Sequence, residues 1–207
     1  MDGVLVDNAH MHVKSFEVLY DRLGIQDKKD ITQFFGFGLK EALIEVIPQE
    51  IIEEKGMDFL CYEKERIYRE IYAPTIQPIS GLIPLLEKFK SKGISCCVGS
   101  SGCNDNVNFV LDQCNIRQFF DGQISADDVH HCKPDPEIYL KAAEVLGLRP
   151  CDCVVFEDAM SGIESARKAG AGKVIALTTS FPEDMLKDCR PDFIITDFND
   201  FQASMLD

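Results

Sequence analysis

Apolar and polar residues follow two different periods along the chain, and the period changes near its middle. Over residues 9–23 apolar residues recur at helical spacing, and Gly24 marks the predicted end of this helix. Asp7 and Asn8 precede it and are predicted to cap its amino end. Residues 29–73 keep a helical pattern, so the first part of the chain is predicted to be almost entirely helical.

The second part of the chain alternates short β-branched runs with helical stretches. A helix is predicted over residues 80–93, and the predicted strands after it are ISCCVGS, GQIS, CVVFED, KVIALTT and DFIIT. Such alternation indicates right-handed βαβ units and a parallel sheet buried on both faces. We therefore predict an α/β core formed by residues 1–12 and 78–207, interrupted by a helical insertion over residues 13–77.

Composition and charge narrow the possible functions. The chain has 207 residues, of which 45% are apolar, enough for a substantial core. Its formal net charge of −14 argues against a nucleic-acid partner, because no basic stripe could neutralise phosphates. The nine cysteines are an odd number without metal-ligand spacing, so we expect reduced thiols in a cytoplasmic protein. No run is apolar enough to predict a membrane span.

Four polar clusters follow predicted strands, where ligands bind in open parallel sheets. These clusters are MDG, GSS, the Lys133 loop HHCKPDP, and the acidic pair of Glu157 and Asp158. Neighbouring carboxylates repel each other, but they suit a hard divalent cation such as Mg²⁺. A hydroxyl and an ammonium at the same rim would hold phosphate oxygens, which completes the inventory for phosphoryl transfer.

The ordered motifs DG, GSSG, KPDPEIY and FEDAMSGIESARKAG, with the helical insertion, resemble the haloacid dehalogenase-like superfamily. Within it, the chain is similar to the branch of helical-cap phosphatases and β-phosphoglucomutase-like enzymes, over essentially its whole length. The resemblance implies a Rossmann-like parallel-sheet core with an inserted α-helical cap. It also implies a Mg²⁺ cofactor and a small phosphorylated metabolite as the substrate.

The resemblance assigns catalytic roles to matching residues. Asp2 matches the family's general acid/base, and its amide, together with that of Gly3, would cradle phosphate. Ser100 matches the hydroxyl that binds the transferred phosphoryl group. Lys133 matches the lysine that steadies both the nucleophile and the phosphate.

The metal site implied by the resemblance is acidic. Glu157 and Asp158 match the pair that orients Mg²⁺, with Asp158 preferred as the direct ligand. The backbone carbonyl of Asp2 completes the expected set. Taken alone, the acidic pair would equally suit a solvated helix amino end, where carboxylates complement the helix dipole.

One family position falls outside the printed sequence. The family's nucleophilic aspartate stands two residues before the acid/base aspartate, in the pattern Asp-x-Asp-Gly, and here Met1 occupies position x. We therefore interpret the sequence as beginning one strand late, through an internal methionine start or a truncation. Two strand edges are then predicted to be exposed, and the chain as written is expected to be inactive or impaired.

Further polar residues are candidates for contacts with phosphate or substrate: Ser101, Asn104, His12 and Lys64. Simpler explanations exist for several candidates. The GSS serines could cap the following helix, Lys133 could be a surface-loop lysine, and His12 could pack or cap at a helix start. The expected convergence of the motifs on one rim favours functional roles for the acids, the serine and Lys133.

The function implied by the resemblance is a Mg²⁺-dependent phosphatase that forms an aspartyl-phosphate in the complete protein. A sugar phosphomutase and a non-catalytic phospho-ligand-binding homologue are alternatives. In the resembling mutases an arginine in the turn matching FFGFGLKEAL grips a distal phosphate, whereas Leu39 and Lys40 stand here. Gly36 and Gly38 of this turn would permit close approach of backbone to substrate. We expect a monomer or weak dimer without nucleic-acid or membrane partners.

Overall fold

The computed structural model describes residues 1–34 and 38–206. The chain divides into two compact units. Met1–Asp7 and Ile76–Asp207 form one, here called the α/β unit, and Asn8–Thr75 forms the other, here called the helical unit. The predicted class, a parallel-sheet α/β fold with a helical insertion, is confirmed.

In its described part, the helical unit contains a short 3₁₀ turn at Ile31–Phe34 and four α-helices: α1 (Ala9–Leu23), α2 (Leu39–Val46), α3 (Gln49–Lys55) and α4 (Met57–Tyr72). As predicted, α1 ends at Gly24, whose φ of 71° lies in the left-handed region that suits a residue without Cβ. Helices α1 and α4 pack against each other. Their apolar faces supply the buried core of this unit, including Phe16, Leu19 and Ile67.

The prediction that Asn8 caps α1 with its side chain is wrong. Asn8 occupies the N-cap position but makes no side-chain capping hydrogen bond. Its amide instead donates to the Tyr68 hydroxyl, 2.7 Å away and buried. A buried amide donor needs a partner, and the partner here lies on α4 rather than on the exposed backbone of α1.

An ion-pair network on the helical unit gives a testable pH dependence. Arg22 and Arg66 each approach Glu63 to 2.8 Å, and hydrogen bonds from Arg66 first, then Arg22, lower the pKa of Glu63 to about 2. A lowered carboxyl pKa means that the ionised side chain stabilises the fold. This stabilisation is fully present above pH 4.5, the unfolded-state pKa, and is lost as the pH falls towards 2. We expect Glu63→Gln to lower the free energy of unfolding by about 1 kcal/mol at pH 7.

Urea unfolding at pH 7 and pH 3 measures this effect. The difference between the variant and the parent chain should shrink at pH 3, because Glu63 is then mostly protonated in the unfolded chain, where its pKa is 4.5, but still mostly ionised in the folded chain, and this difference in bound protons favours unfolding. Glu54→Gln is the matched control, since Glu54 is an exposed acid whose ion pair among the described residues is with its neighbour Lys55. A difference of equal size at both pH values would contradict the electrostatic origin.

The α/β unit contains five α-helices: α5 (Leu82–Ser91), α6 (Asn104–Gln113), α7 (Glu137–Leu146), α8 (Met160–Ala169) and α9 (Glu183–Lys187). The strands are β1 (Cys97–Gly99), β2 (Gly122–Ile124), β3 (Val154–Glu157), β4 (Lys173–Leu177) and β5 (Phe193–Ile195). All five lie within the runs predicted from sequence. The short helix α9 was not predicted.

The strands form two separate parallel sheets rather than one. Strand β1 pairs with β2, and β3 pairs with β4, which pairs with β5. Among the described residues no strand lies between β1 and β3, so each has a strand partner on one edge only. Residues 1–7 form a turn instead, with single bridges from Val6 to Asp2 and Pro78.

The larger sheet is buried because helices cover it. Val174, Ile175, Ala176 and Leu177 of β4 are fully buried, as expected for a central parallel strand. Ile163 of α8 packs against this sheet in one apolar cluster with Val174 and Ala176.

Within the described residues, no helix combines the length and apolar character that crossing a membrane requires. All nine cysteines are free thiols.

Candidate active site

Lys133 joins the carboxyl ends of β1 and β3. Its ammonium donates to the Gly99 carbonyl at 3.3 Å, to Glu157 Oε1 at 2.6 Å and to the Tyr139 hydroxyl at 2.9 Å. The Lys133 and Glu157 side chains are only 10% and 5% exposed. A lysine so buried and so fully bonded is not a surface-loop lysine, and the simpler explanation for it is wrong.

Glu157 ends β3 and is held in place by several donors. Burial raises the pKa of its carboxyl, but the Lys133 ammonium, the N-terminal ammonium and hydrogen bonds from Lys133 and Tyr139 outweigh burial and lower it. Tyr139 donates its hydroxyl proton to Glu157 Oε1. Glu157 is therefore an ionised, immobile carboxylate at the rim.

Asp158 follows Glu157 and has the opposite electrostatic environment. Burial first, and then the negative charge of Glu157, raise the pKa of Asp158 to about 7. A hydrogen bond from Ser180 opposes this rise. The backbone N–H of Asp158 donates to Glu157 Oε2 at 3.1 Å. Two adjacent buried carboxylates of this kind form a donor set that suits a divalent cation.

The first residues of the chain lie against this acidic pair. Met1 O accepts hydrogen bonds from Val4 N and Leu5 N, at 3.2 and 2.7 Å, which form the opening turn. Thr179 donates its hydroxyl proton to the Gly3 carbonyl. Burial and then Lys133 lower the pKa of the Met1 ammonium, while the acids raise it. The turn therefore presents its backbone to the same rim.

Asp2 and Ser100 line one corner of the rim. The Ser100 side chain is buried, and its hydroxyl oxygen accepts from Gly102 N at 3.1 Å. A Cβ added to Gly102 would lie 3.3 Å from Ser100 Oγ and 3.6 Å from Asp2 Oδ2. Both oxygens thus face the same small space. Ser100 follows Gly99, whose carbonyl accepts from Lys133, and Lys133 also contacts Glu157. The MDG, GSS, Lys133 and acidic clusters therefore meet at one place.

Two predicted phosphate contacts are exposed residues. Ser101 is exposed. Asn104 is exposed as well, and its amide oxygen accepts from Gln123 at 2.7 Å and from Asn108 at 3.3 Å. The contacts that the structure gives Asn104 therefore form a surface network, and none of them reaches the rim.

His12 and Lys64 are brought together in the helical unit. Lys64 is 3% exposed, and its ammonium lies 2.8 Å from His12 Nδ1 and 3.0 Å from Glu65. An ammonium can only donate, so Nδ1 accepts this hydrogen bond. The His12 ring stacks on Tyr68 with centroids 4.2 Å apart. Packing predicted from sequence for His12 is present, together with a polar contact that was not predicted.

The predicted substrate turn is only partly described. Gly36 lies outside the described residues. Lys40 is a surface residue whose ammonium pairs with Asp58 at 3.2 Å, and both side chains are largely exposed.

Sequence reasoning missed three residues that hold the acidic pair or the opening turn beside it. Tyr139 contacts Lys133 and Glu157, Thr179 holds Gly3, and Ser180 bonds to Asp158. Tyr139 stands six residues after Lys133 on α7, where an aromatic residue fits an amphipathic pattern and gives no separate signal. The hydroxyls of Thr179 and Ser180 follow β4, so the rule that ligands bind beyond strand carboxyl ends could have found them.

Two curated proteins illustrate the sequence similarity. Validoxylamine A 7'-phosphate phosphatase from Streptomyces hygroscopicus subsp. limoneus is 30% identical over 189 residues, which cover 91% of this chain and 87% of that protein. Protein SUPPRESSOR OF QUENCHING 1, chloroplastic, from Arabidopsis thaliana is 32% identical over 211 residues. This match covers 99% of the chain but only 20% of that much longer protein.

A solved structure and a family model extend the comparison. A crystal structure of a HAD hydrolase, family IA, variant 3, from Entamoeba histolytica HM-1:IMSS has a TM-score of 0.87 at 25% identity. It covers 100% of this chain and 94% of its own. The family model described as haloacid dehalogenase-like hydrolase matches residues 1–176. With its motifs gathered at one rim of a parallel-sheet fold, the chain belongs to the haloacid dehalogenase-like hydrolase family.

Proposed function

We propose that this chain carries the site of a Mg²⁺-dependent phosphatase for a small phosphate monoester. The observation that carries the proposal is the buried Lys133–Glu157 ion pair, 2.6 Å long, beside the Asp158 carboxylate and the Ser100 hydroxyl. Phosphoryl transfer needs fixed positive charge and hydrogen-bond donors in a site that excludes water. This rim offers those groups together.

The acidic pair fits a hard divalent cation. Burial beside Glu157 raises the pKa of Asp158 to about 7, and a bound cation would favour its ionised form. We assign Asp158 as the direct ligand, Glu157 as the orienting acid and the Asp2 carbonyl as a further ligand. When bound, Mg²⁺ would neutralise charge on the phosphate oxygens.

The remaining residues of the rim have separate roles in the proposal. Ser100 donates its hydroxyl proton to a phosphate oxygen, and the Lys133 ammonium stabilises the charge of the transferred group. An aspartate immediately before Met1 would attack phosphorus and form an aspartyl-phosphate as the bond to the leaving oxygen breaks. Asp2 protonates that leaving oxygen and later takes a proton from the water that hydrolyses the intermediate.

The helical unit is assigned to substrate selection. We propose that it acts as a cap that closes over the substrate and excludes water. His12 and Lys64 are its candidate substrate contacts, because the buried Lys64 ammonium and the partly buried His12 ring form a polar pair in this unit. Leu39 replaces the arginine expected of a mutase at this end, so hydrolysis is preferred over transfer between sugar positions.

The proposal also covers the partner, the cellular location and the oligomeric state. The partner is a small phosphorylated metabolite, without nucleic acid or membrane. Nine free thiols suit the reducing cytoplasm. The proposed state is a monomer or weak dimer.

An assay with p-nitrophenyl phosphate and Mg²⁺ tests the function. It compares the printed chain with an extended chain that carries a hydrophobic strand ending in Phe-Asp before Met1. We expect activity in the extended chain only, with kcat at least about 100-fold above the printed chain, because covalent catalysis requires the positioned carboxylate.

Two controls separate the possible failures. The extended chain ending in Phe-Asn before Met1 should be inactive, and Asp158→Asn in the active form should greatly lower the Mg²⁺-dependent activity. Activity on a hexose 1-phosphate only with added bisphosphate would favour a mutase instead. Binding of phosphate without turnover in the extended chain would favour a non-catalytic homologue and overturn the proposed hydrolysis.

A further inference from the structure

The Lys133 loop and the start of α7 carry metal-ligating side chains that the proposed phosphatase does not use. His131 and Asp135 lie on the loop, and Glu137 is the first residue of α7. One nitrogen or oxygen atom of each side chain lies within 4.8 Å of the other two. His131 is exposed, while Asp135 and Glu137 are half-buried, so an ion from solution can reach all three.

Hydrogen bonds fix the backbone around these side chains. Ser165 of α8 donates its hydroxyl proton to the Asp135 carbonyl at 2.6 Å. Glu137 Oε2 accepts from His130 N at 2.8 Å and from His131 N at 3.1 Å, so the loop folds around this carboxylate. An incoming ion would therefore meet two carboxylates that are already positioned, and would have to order only the exposed His131 ring.

Local backbone bonding explains the carboxylates of this group but not the imidazole. Asp135 Oδ1 accepts from Glu137 N at 2.9 Å, which is the bond of an Asx turn at the start of a helix. His131 Nδ1 lies 3.7 Å from Glu137 Oε2, which is too long for a hydrogen bond. The ring thus lies beside the carboxylate at a distance that a shared ion can bridge.

The Glu137 carboxylate already attracts positive charge. Lys141 Nζ lies 2.8 Å from Glu137 Oε1, and His130 Nδ1 lies 3.0 Å from the same oxygen. Lys141 also donates to the Asp128 carbonyl, so its ammonium keeps a partner when a metal ion takes its place beside Glu137. Exchange of this partly exposed ammonium for a divalent cation therefore leaves no buried donor unpaired.

One imidazole and two carboxylates select the class of metal ion. Imidazole suits zinc, copper, iron and nickel, whereas Mg²⁺ and Ca²⁺ are bound through oxygen. Zn²⁺ bonds to histidine nitrogen and carboxylate oxygen at about 2.0–2.2 Å, so two ligand atoms on one tetrahedral ion lie roughly 3.4 Å apart. Small rotations of side chains on the protein surface close the remaining gap.

We propose that His131, Asp135 and Glu137 bind one Zn²⁺ ion, with water as the fourth ligand. Two of these ligands lie two residues before and two residues after Lys133, so the bound ion would fix the backbone that carries this lysine. The ligand set is separate from the acidic pair of the rim. Zinc binding does not rest on the proposed phosphatase activity.

Isothermal titration of the printed chain with Zn²⁺ tests the site. His131→Asn and Asp135→Asn should each lose one zinc equivalent relative to the parent chain, or bind it at least tenfold more weakly. This expectation is conservative, because even changes beside the direct ligands of a metal cost about 10–100-fold in affinity. His10→Asn is the matched control, since His10 is also an exposed histidine, and it should keep the parent stoichiometry and affinity.

Two further variants identify the ligands and separate this site from the rim. Cys132→Ser should keep the zinc equivalent, because the proposed ligands are nitrogen and oxygen atoms. Asp158→Asn should keep it as well, so this site and the proposed Mg²⁺ site fail separately. Zinc binding should also persist in a large excess of Mg²⁺, because imidazole favours zinc.

Four results would overturn the proposal. They are no zinc bound by the parent chain, equal binding by the parent chain and His131→Asn, loss of the equivalent in Cys132→Ser or Asp158→Asn, and displacement of zinc by Mg²⁺.

Discussion

Replacing Lys133 by methionine is expected to lower the free energy of unfolding by about 3–5 kcal/mol, the usual cost of removing one partner of a buried ion pair. Lys133 and Glu157 are 2.6 Å apart and nearly fully buried, so the variant leaves Glu157 with an uncompensated charge. Methionine keeps much of the apolar stem, so packing is largely preserved. The nearby Met1 ammonium places the expected loss at the lower end of the range.

Urea unfolding of Lys133→Met and of the double variant Lys133→Met/Glu157→Gln measures this effect. Neutralising Glu157 should restore much of the stability, because the stranded charge is then absent. In the extended chain with the Phe-Asp segment, Lys133→Met should lower kcat by about 10²–10³-fold, as expected for a lost electrostatic donor. Equal stability of the single and double variants would contradict an ionic origin.

Gly3→Ala is expected to weaken Mg²⁺ binding at least tenfold. The φ of Gly3 is 62°, and a Cβ there would overlap Asp158 Oδ2 and lie 2.8 Å from Ser180 Oγ. The Asp158 carboxylate can move away only by losing the position that suits a metal ligand. The left-handed backbone adds a cost of roughly 1–2 kcal/mol for any residue with Cβ.

Gly147→Ala separates these two effects. The φ of Gly147 is 66°, but a Cβ there meets nothing within 4 Å. Both variants should therefore lose similar backbone stability in thermal unfolding, while isothermal titration with Mg²⁺ should show weakened binding only for Gly3→Ala. Unchanged Mg²⁺ affinity in Gly3→Ala would remove Asp158 from the proposed metal site.

Local patterns predicted most of the secondary structure. Helical spacing followed by Gly24 located α1, and β-branched runs located β3 and β4, because burial of one stripe or of both faces leaves a period in the sequence. The helix α9, five residues long, was missed because so short a segment shows no period. The side-chain cap assigned to Asn8 failed because a buried partner on another helix competes with the local backbone.

The candidate site was predictable where the topology alone brings residues together. Lys133, Glu157 and Ser100 were expected at one rim because parallel strands place their carboxyl ends side by side. Asn104 was a candidate by sequence, yet its amide joins a surface network with Gln123, a contact between α6 and β2. Such side-chain choices depend on neighbours that are distant in sequence.

The sequence by itself therefore determined the α/β class, the order of the elements and the acids, hydroxyl and lysine at the rim. Periodicity and motif order are properties of the sequence, and they can be recognised without knowledge of long-range contacts. Only the tertiary structure decided that Tyr139 holds both Lys133 and Glu157, that His12 pairs with Lys64, and that Asn8 bonds to Tyr68. Hydrogen-bond partners and strand neighbours are set by long-range packing, which no single segment encodes.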